Sequence, residues 1–566
     1  MLLWIIIVLA SLPALAVYLY QKLHYHRFVQ YASWPQMEPS LLWGHLKKLN
    51  EFIERGVRQR HVDMVFTEIK EHLGNPPVYL LDVRPAQGYV LGIICSHEVA
   101  EQVTKSSKIF PYSVPKTPTM DFMEPMIGPR SVLSNQGEQW KALRRRFNPG
   151  FAPQHLLGLL PCILDRSWRF FEILDSYAAS GEEFALDELC INLTFDIIGA
   201  VTMDEDFRAQ SGKEAQSEIV KLYRDINISY RRSGNGTRPH WMQPLQTLRR
   251  RQMSRRLDVV LQSRIRDRFA EIKEQSAKKS RSVVSLSFQD TDELTQSILE
   301  ETCDQIKTFL FAGHDTTSIL LQWAFYELSR TPRALDAIRR ELDEIFGPDP
   351  SPSVVRESLL APGGDQLIQR MSYVSAVIKE TLRLYPPAGS GRYVPPGSGF
   401  NVQLPDGSSL CLDGVSVYSC DSIMQRDEAV YGPTKDDFIP ERWLGDTDTS
   451  MQTSTESKTP GGAGKIPASA WRPFERGPRN CIGQELANLE ARVILACAVR
   501  RYDFTKVGLG EVLQDGSGKP ILNARGQYEV NSKLYNIMQI TAKPVDGTMM
   551  RVGLTPGSPS TLQEGY

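Results

Sequence analysis

The chain has 566 residues, of which 41% are hydrophobic and 23% are charged, as in an ordinary globular protein. This length is sufficient for a large core or for several domains. The formal net charge of −1, without a dominant basic block, argues against a nucleic-acid-binding protein. The 8 cysteines lack C-x-x-C pairs and match neither a zinc site nor a disulfide framework.

The N-terminus carries the first predicted element, a membrane anchor. Residues 2–20 contain no charged side chain, and Lys22 and Arg27 follow closely. At ~1.5 Å per residue this run spans about 28 Å as a helix, roughly the hydrocarbon thickness of a bilayer. The basic flank predicts that residues 1–21 cross the membrane and leave the following chain in the cytosol. A cleaved signal peptide is the alternative, because Ala-Leu-Ala at 14–16 mimics a cleavage site, although no basic residue precedes the apolar run.

The remaining chain is predicted to form one large, mainly helical domain with a minor sheet region. Its expected extent is 51–545, after a linker at 22–50 and before a C-terminal tail at 546–566. Sequons that would stay unglycosylated in the cytosol begin at Asn192, Asn227 and Asn235.

Secondary-structure signals within this domain run from strands to helices and back to strands. Apolar runs predict two strands within 78–95 and further strands at 400–419 around a Pro-Asp-Gly turn. A long helix is expected over 293–330, with Asp290 and Glu293 as its N-terminal cap. Other predicted segments are helices at 332–346 and about 365–385, a surface loop at 274–281 and an irregular insertion at 446–469.

The most specific motif surrounds one cysteine and contains Phe474, Gly477, Arg479, Cys481 and Gly483, spaced as F-x-x-G-x-R-x-C-x-G. A thiolate that ligates haem iron needs a tight loop whose backbone N–H groups point at the sulfur, and the two glycines permit such a loop. Arg479 provides a cation for a haem propionate. A lone cysteine in a Gly-rich turn is usually a structural thiol, so this interpretation depends on the other motifs.

A second motif, Ala-Gly-His-Asp-Thr-Thr at 312–317, places helix-weakening residues in the middle of the long helix. Such local violations are typical of functional sites. Ala312 and Gly313 are small enough to leave a groove for a diatomic ligand. Asp315 and Thr316 fall on one apolar face, where an acid and a hydroxyl provide a relay for protons. A threonine-rich core helix would explain the threonines but not the aspartate.

A third motif places Glu380 three residues before Arg383 on a predicted helix, and Arg442 follows in a Pro-Glu-Arg-Trp segment. Alone, an E-x-x-R pair is weak evidence, because most such pairs are exposed and contribute only a few tenths of a kcal/mol. Its value comes from its position between the other motifs.

Taken in their order along the chain, these motifs resemble those of the cytochrome P-450 family. The resemblance covers nearly the whole chain. It implies the mainly α cytochrome P-450 fold with a minor β region, and a haem b group ligated by Cys481. The glutamate and two arginines of the third motif would form a structural network behind the haem. The expected haem-binding residues are Trp140, Arg144, Arg392, Phe474, Arg479 and Gly483.

The resemblance implies a haem-thiolate monooxygenase that inserts one oxygen atom of O2 into a C–H, C=C or aromatic bond. Asp315 and Thr316 are the expected catalytic residues, which deliver protons. Electrons are expected from NADPH through an external NADPH–cytochrome P-450 reductase, because the residues after Cys481 are too few for a fused flavin domain. The candidate cations of its docking face are Lys141, Arg145 and Arg146.

The substrate is expected to be a sizeable apolar or aromatic molecule. The predicted contact regions are rich in aromatic, Met and Pro residues and lack a charged anchor. The sequence looks like filamentous-fungal family members that tailor secondary metabolites, including polyketides, at the endoplasmic reticulum membrane. The predicted substrate-contact regions are 108–130, 200–245, 386–392 and Ile537-Met538.

Two other functions are compatible with a haem-thiolate motif. A reductase-independent isomerase or dehydratase would use the same thiolate, but such enzymes usually lack the acid and alcohol that this chain keeps. A non-catalytic haem-binding membrane adaptor would not need the relay at all. One departure from the family pattern is Gln425, where many members have histidine, and it predicts looser haem contacts.

Overall fold

The structure, a computed structural model, describes residues 2–232, 243–274, 281–445 and 466–559, with side chains described from Ser11 onward except at Thr119, Arg231 and Arg232. The predicted polar surface loop and the irregular insertion fall mostly outside these ranges, and the third sequon lies wholly outside them. The expectation of a mainly α fold with a minor β region is confirmed.

Helices and strands are numbered here in chain order. The α-helices are α1 Leu2–His24, α2 Leu46–Glu54, α3 Val62–His72, α4 His97–Thr104, α5 Glu124–Ile127, α6 Gly137–Phe147, α7 Pro153–Leu157, α8 Leu160–Ser180, α9 Leu186–Met203, α10 Glu218–Arg232, α11 Pro244–Lys273, α12 Val283–Ser287, α13 Gln296–Arg330, α14 Pro332–Phe346, α15 Pro352–Leu360, α16 Gly364–Arg370, α17 Ser372–Leu384, α18 Asp421–Met424, α19 Glu428–Tyr431 and α20 Gln484–Arg501. The β-strands are β1 Val78–Asp82, β2 Val90–Ile94, β3 Phe184–Ala185, β4 Ser390–Tyr393, β5 Asn401–Gln403, β6 Ser409–Cys411, β7 Val415–Ser419, β8 Tyr502–Lys506, β9 Asn536–Gln539, β10 Thr541–Pro544 and β11 Met549–Leu554.

The first of two compact units comprises Met1–Thr117 and Gly389–Met424. Its four-stranded sheet has the order β1-β2-β7-β4, in which β1 and β2 are antiparallel and β7 runs parallel to β2. The strands predicted within 78–95 and at 400–419 are therefore confirmed. The segment predicted as a linker also contributes to this unit, since the buried Arg27 Nη1 lies 2.5 Å from Asp82 Oδ2.

The second unit comprises Pro118–Ala388 and Gln425–Tyr566 and is built around α13. This helix is buried over most of its length and packs along α9, as expected for a long core helix. The cap prediction is wrong, because Thr295 is the N-cap and its side chain accepts a hydrogen bond from Ile298 N–H at 3.3 Å. Asp and Thr both cap helices well, and Thr295 is the one that directly precedes the first turn of α13.

Other boundaries in the second unit agree only in part with the sequence predictions. The helix predicted at about 365–385 is divided into α16 and α17, because Met371 adopts ψ 63°, outside the helical region. Helix α14 has the predicted bounds. Strand β11 pairs with β8 and extends ordered structure into the segment predicted as a tail, of which residues 560–566 are not described.

Helix α1 covers the predicted membrane anchor. Among the residues that the structure describes, no helix is both long enough and apolar enough to cross a membrane. The anchor at 1–21 therefore stays a prediction.

Candidate active site

The loop that carries Cys481 is short, bonded to itself and followed directly by α20. The Cys481 N–H donates to Phe474 O at 2.8 Å, and the Asn480 N–H donates to Gly477 O at 3.1 Å. Gly477 has φ +79°, a conformation that favours glycine. Gly483 has no such requirement, since a Cβ there would lie 3.8 Å from Cys481 Sγ, an ordinary contact. Cys481 itself is exposed, so the loop holds an accessible sulfur in a defined position.

Trp140 and Arg144 lie one turn apart on α6, next to this loop. Arg144 donates to the carbonyl oxygen of Asn480 at 2.7 Å and to its side-chain oxygen at 3.1 Å. Burial lowers the pKa of Arg144 and the neighbouring Cys481 raises it, although the guanidinium stays charged at any ordinary pH. The Arg479 guanidinium lies 5.0 Å from the centroid of the buried Trp140 ring. The cysteine loop therefore carries one cation of its own, Arg479, and contacts a second, Arg144 of α6.

Arg479 also positions the segment that precedes α6. It donates to Gln136 Oε1 at 2.5 Å, to Asn135 O at 2.9 Å and to Val132 O at 3.1 Å. The sequence predicted only a propionate contact for this residue. The structure adds a structural role, in which the cysteine loop and the 132–136 segment are bound together.

Helix α13 holds the same segment from its other side. Asp304 Oδ2 accepts a hydrogen bond from Arg130 N–H at 2.9 Å, and Gln305 Oε1 accepts one from Val132 N–H at 2.8 Å. Burial raises the pKa of Asp304 to about 6. Sequence analysis did not identify these two residues, because an Asp-Gln pair in a helix has no motif that distinguishes it from a surface pair.

Arg392 lies on β4 in the first unit. It is fully buried there and donates to Ser113 Oγ and to Val114 O, each at 3.2 Å. Its predicted contact with a haem propionate stays a prediction.

The predicted docking cations differ in their availability. Arg145 is exposed and Lys141 is half-exposed on α6. Arg146 does not belong with them, because its side chain is directed inward. Its guanidinium donates to Ser287 O at 3.1 Å and to Thr302 Oγ1 at 2.9 Å, and it pairs with Glu301 at 3.1 Å.

The structure brings Glu380, Arg383 and Arg442 together in a fully buried network. Arg383 donates to both carboxylate oxygens of Glu380 at 2.8 Å, and Arg442 Nε donates to Oε1 at 3.0 Å. Ile439 N–H and Trp443 Nε1–H each add a bond at 2.9 Å. Burial opposes ionisation of Glu380, but the two arginines outweigh it and hold its pKa below the usual value.

Gln425 extends this network and does not leave a loose position. Its Nε2 donates to Leu382 O at 3.0 Å and to Arg383 O at 3.1 Å. Its Oε1 accepts a hydrogen bond from Arg472 N–H at 2.7 Å. The amide of Gln425 therefore satisfies three backbone groups, and the looser haem contacts expected for glutamine stay a prediction.

Asp315 and Thr316 lie in the middle of α13 with different surroundings. Thr316 is half-buried and donates to Ala312 O at 2.9 Å, one turn back in the helix. Asp315 is buried and binds residues of β10 that sequence analysis did not identify. Lys543 Nζ lies 2.6 Å from its Oδ1, and Thr541 Oγ1 donates to its Oδ2 at 2.5 Å.

Gly313 has a different role from the one that its small size predicted. A Cβ at this position would lie 2.6 Å from a side-chain carbon of Ile198 on α9, so the glycine is required where the two helices pack. His314 is buried in the same interface, 4.8 Å from the Phe195 ring, and its Nδ1 lies 2.6 Å from Leu310 O. These contacts give His314 a structural role in the interface.

Comparison with known proteins identifies the family. The family model for cytochrome P450 matches residues 35–530. The chain belongs to the cytochrome P450 family. It is 31% identical over 478 residues to cytochrome P450 monooxygenase acrF of Aspergillus aculeatus, a match that covers 81% of this chain and 91% of that protein.

More distant cytochrome P450 relatives match over similar lengths. Cytochrome P450 monooxygenase polC of Polytolypa hystricis is 26% identical over 566 residues, covering 95% of this chain and 92% of that protein. Human cytochrome P450 4V2 is 26% identical over 430 residues, covering 72% and 73% of the two chains. This chain is therefore a member of a family of haem monooxygenases, with fungal monooxygenases among its relatives.

The residues of this cytochrome P450 fit a haem group. Iron ligation needs an accessible sulfur, and Cys481 is exposed whereas Cys190, Cys303 and Cys497 are buried. Two propionates need cations, and Arg479 lies on the same loop while Arg144 contacts it.

Proposed function

We propose that this chain is a haem b monooxygenase that inserts one oxygen atom of O2 into an apolar small molecule, with Cys481 as the iron ligand. The observation that supports it most is the exposed Cys481 on a loop that contains Arg479 and accepts a hydrogen bond from Arg144 of α6. The acid and alcohol on α13 favour oxygen insertion over a reductase-independent isomerisation, because only oxygen insertion needs delivered protons.

In the proposed reaction, bound haem supplies oxygen activation, and the thiolate favours O–O cleavage. The protein supplies position and protons. Trp140, Arg144, Arg392 and Arg479 would hold the propionates, with Phe474 and Gly483 in the loop. The Glu380 network would keep the segment behind the loop rigid, because all of its charges are paired.

The relay on α13 would perform the acid–base part of the reaction. Asp315 is ionised at neutral pH, because burial raises its pKa but the charge of Lys543 outweighs that effect and lowers it. An ionised carboxylate accepts a proton and passes it on, and Thr316 carries the hydroxyl nearest to it in sequence. The back-bond from Thr316 to Ala312 O fixes the direction of that hydroxyl.

Replacement of Thr316 tests this relay. With reductase and NADPH, we expect T316A to release severalfold more hydrogen peroxide per NADPH than the wild type, because protons reach bound oxygen less readily. T317A is the matched control, since Thr317 is the adjacent, buried threonine of the same helix. Equal peroxide yields in T316A and T317A would remove the proposed role.

Electrons would come from NADPH through an external reductase that docks by charge. Arg145 and Lys141 are the remaining candidate cations on α6. Charge reversal in R145E is expected to slow electron transfer, more strongly at low salt, as measured by stopped-flow reduction under carbon monoxide. An unchanged rate at low salt would argue for a different docking face.

The predicted surroundings of the enzyme complete the proposal. Residues 1–21 would anchor the 51–545 domain to the cytosolic face of the endoplasmic reticulum. The substrate would be a sizeable apolar or aromatic compound of a fungal secondary-metabolite pathway, a view that fungal relatives of the chain support. Comparison of metabolites between a wild-type and a deletion strain would identify the compound, and unchanged profiles would exclude such a pathway.

A further inference from the structure

The acid of the relay is paired with a cation that belongs to no motif. Lys543 on β10 places its Nζ 2.6 Å from Asp315 Oδ1, and the two side chains are only 9% and 2% exposed. Thr541, two residues earlier on the same strand, binds the other carboxylate oxygen. A buried ion pair is costly to desolvate and is weak evidence for stabilisation by itself. The position of the Asp315–Lys543 ion pair on the proposed relay therefore needs an explanation other than stabilisation of the fold.

Lys543 also lines a cavity of about 780 Å³ that opens to solvent. Glu188 of α9 and Arg224 and Asp225 of α10 contribute charged groups to its wall, and His314 lies at its base. This volume is many times the ~30 Å³ that one water occupies, and polar cavities of this size hold water. The charged wall differs from the apolar lining typical of a substrate pocket.

We propose that Lys543 is a positioning residue through which protons from water in this cavity reach Asp315. The inference rests on the proposed monooxygenase function, because only that function requires a supply of protons. The ammonium group donates one proton to the Asp315 carboxylate and regains one from cavity water, so its charge is restored. The carboxylic acid then gives its proton to Thr316, which passes its own proton onward.

The charge of Lys543 keeps Asp315 ionised. Burial alone would favour the neutral acid, but Lys543 outweighs it, and the pKa of Asp315 lies below its usual value. Burial lowers the pKa of His314, so this ring is neutral at pH 7, and Arg224 acts in the same direction. Lys543 is therefore the permanent cation that faces the carboxylate, with Asp187 of α9 on the cavity wall beyond it.

Three variants separate proton supply from a purely structural link between β10 and α13. K543M keeps the length of the side chain and removes its charge, whereas K543R keeps the charge. K506M removes a second buried lysine, Lys506 of β8, whose Nζ pairs with Asp546 at 2.5 Å and donates to Val507 O at 2.6 Å. Each haem-loaded variant is mixed with reductase and NADPH, without added substrate.

We expect K543M to raise the yield of hydrogen peroxide per NADPH severalfold and to increase the solvent deuterium isotope effect on NADPH oxidation. K543R is expected to behave like K543M, because a guanidinium is not deprotonated in proteins and cannot hand on a proton. K506M is expected to behave like the wild type. Peroxide yield and isotope effect that are the same in K543M and K506M would overturn the proposal, because a structural link alone would not change them.

Infrared spectroscopy provides a readout that does not depend on turnover. In K543M the buried Asp315 loses its cation, so we expect a protonated-carboxyl band at neutral pH that is absent from the wild type and from K543M/D315N. Absence of this band from K543M would show that Lys543 does not set the charge of Asp315. Failure of the monooxygenase proposal is distinguishable, since the wild type itself would then lack the carbon monoxide spectrum of a haem thiolate.

Discussion

At the scale of single residues, the carboxylate of Glu380 is the shared acceptor of a buried hydrogen-bond network. It accepts bonds from two guanidinium groups, one indole and one backbone N–H, and both arginines and the carboxylate are buried. Removing the negative charge would leave Arg383 and Arg442 buried close to each other without a counter-ion. The network therefore depends on this one residue more than on either arginine.

We predict that E380Q lowers the free energy of unfolding by ~3–5 kcal/mol and reduces haem retention, because it leaves buried cations uncompensated. E441Q is the control, since Glu441 and its partner Arg333 are about one-third exposed. We expect a loss below about 1 kcal/mol for the control. Urea unfolding followed by haem absorbance measures both, and equal losses would contradict the proposed dependence on buried charge.

The sequence was sufficient to predict residues whose neighbours are close in the chain, but not their distant partners. The cysteine motif and the Asp-Thr pair are compact patterns, and the E-x-x-R spacing follows from the helix itself. Lys543 and Thr541 were missed because they belong to a short strand without a motif, more than 200 residues from Asp315. Gly313 was misinterpreted because its small size reveals close packing but not which group packs there.

At the scale of elements, the packing of α9 against α13 positions the relay. Gly313 allows close approach of the two helices, and Thr194 Oγ1 on α9 donates to His314 O at 2.8 Å. The hydrophobic pattern predicted α13 because burial on one helix is periodic in sequence. It could not predict the α9 partner, since periodicity does not encode which helices meet.

We predict that G313A destabilises the protein by ~1–3 kcal/mol, because the new methyl group would lie 2.6 Å from an Ile198 carbon. The second substitution I198A should restore part of this loss, and a double-mutant cycle measures the coupling. G212A is the control, since a Cβ there meets no atom within 4 Å. Additive losses for G313A and I198A would contradict the proposed contact.

The buried carboxyl group of Asp304 on α13, which accepts a hydrogen bond from Arg130 N–H, predicts a pH dependence of stability. Burial raises the Asp304 pKa to about 6, so the folded state binds this proton more tightly than the unfolded state. The free energy of unfolding should therefore fall by ~2–3 kcal/mol as pH rises from about 4 to about 6. D304N should lack this part of the slope, and identical slopes in urea titrations would contradict the assignment.

At the scale of the whole molecule, the helical pattern along the chain predicted the mainly α class, and the motifs in their order predicted the family. The division into two compact units was not predicted, because the first unit joins segments from both halves of the chain. Sheet pairing over such distances leaves no local signal. Asn192 is also unsuitable as a reporter of topology, since it is buried and accepts a hydrogen bond from Arg224 at 2.6 Å.

Deletion of residues 1–21 tests the predicted anchor. We expect the full chain to stay with membranes after an alkaline carbonate wash and the truncated chain to be released, because the uncharged run supplies the apolar contact. Deletion of 560–566 serves as the control and should leave the distribution unchanged. A truncated chain that stays in the membrane pellet would assign membrane binding to another surface.

The carbon monoxide difference spectrum of the reduced, haem-loaded protein tests the central claim, that Cys481 ligates the iron as a thiolate. The wild type should show the strongly red-shifted Soret band of a sulfur-bound ferrous haem, and C481H, which offers a nitrogen ligand, should lose it. C411S is the matched control at the other exposed cysteine and should keep the band. A folded, haem-loaded wild type without this band, or a C481H variant that retains it, would contradict the account.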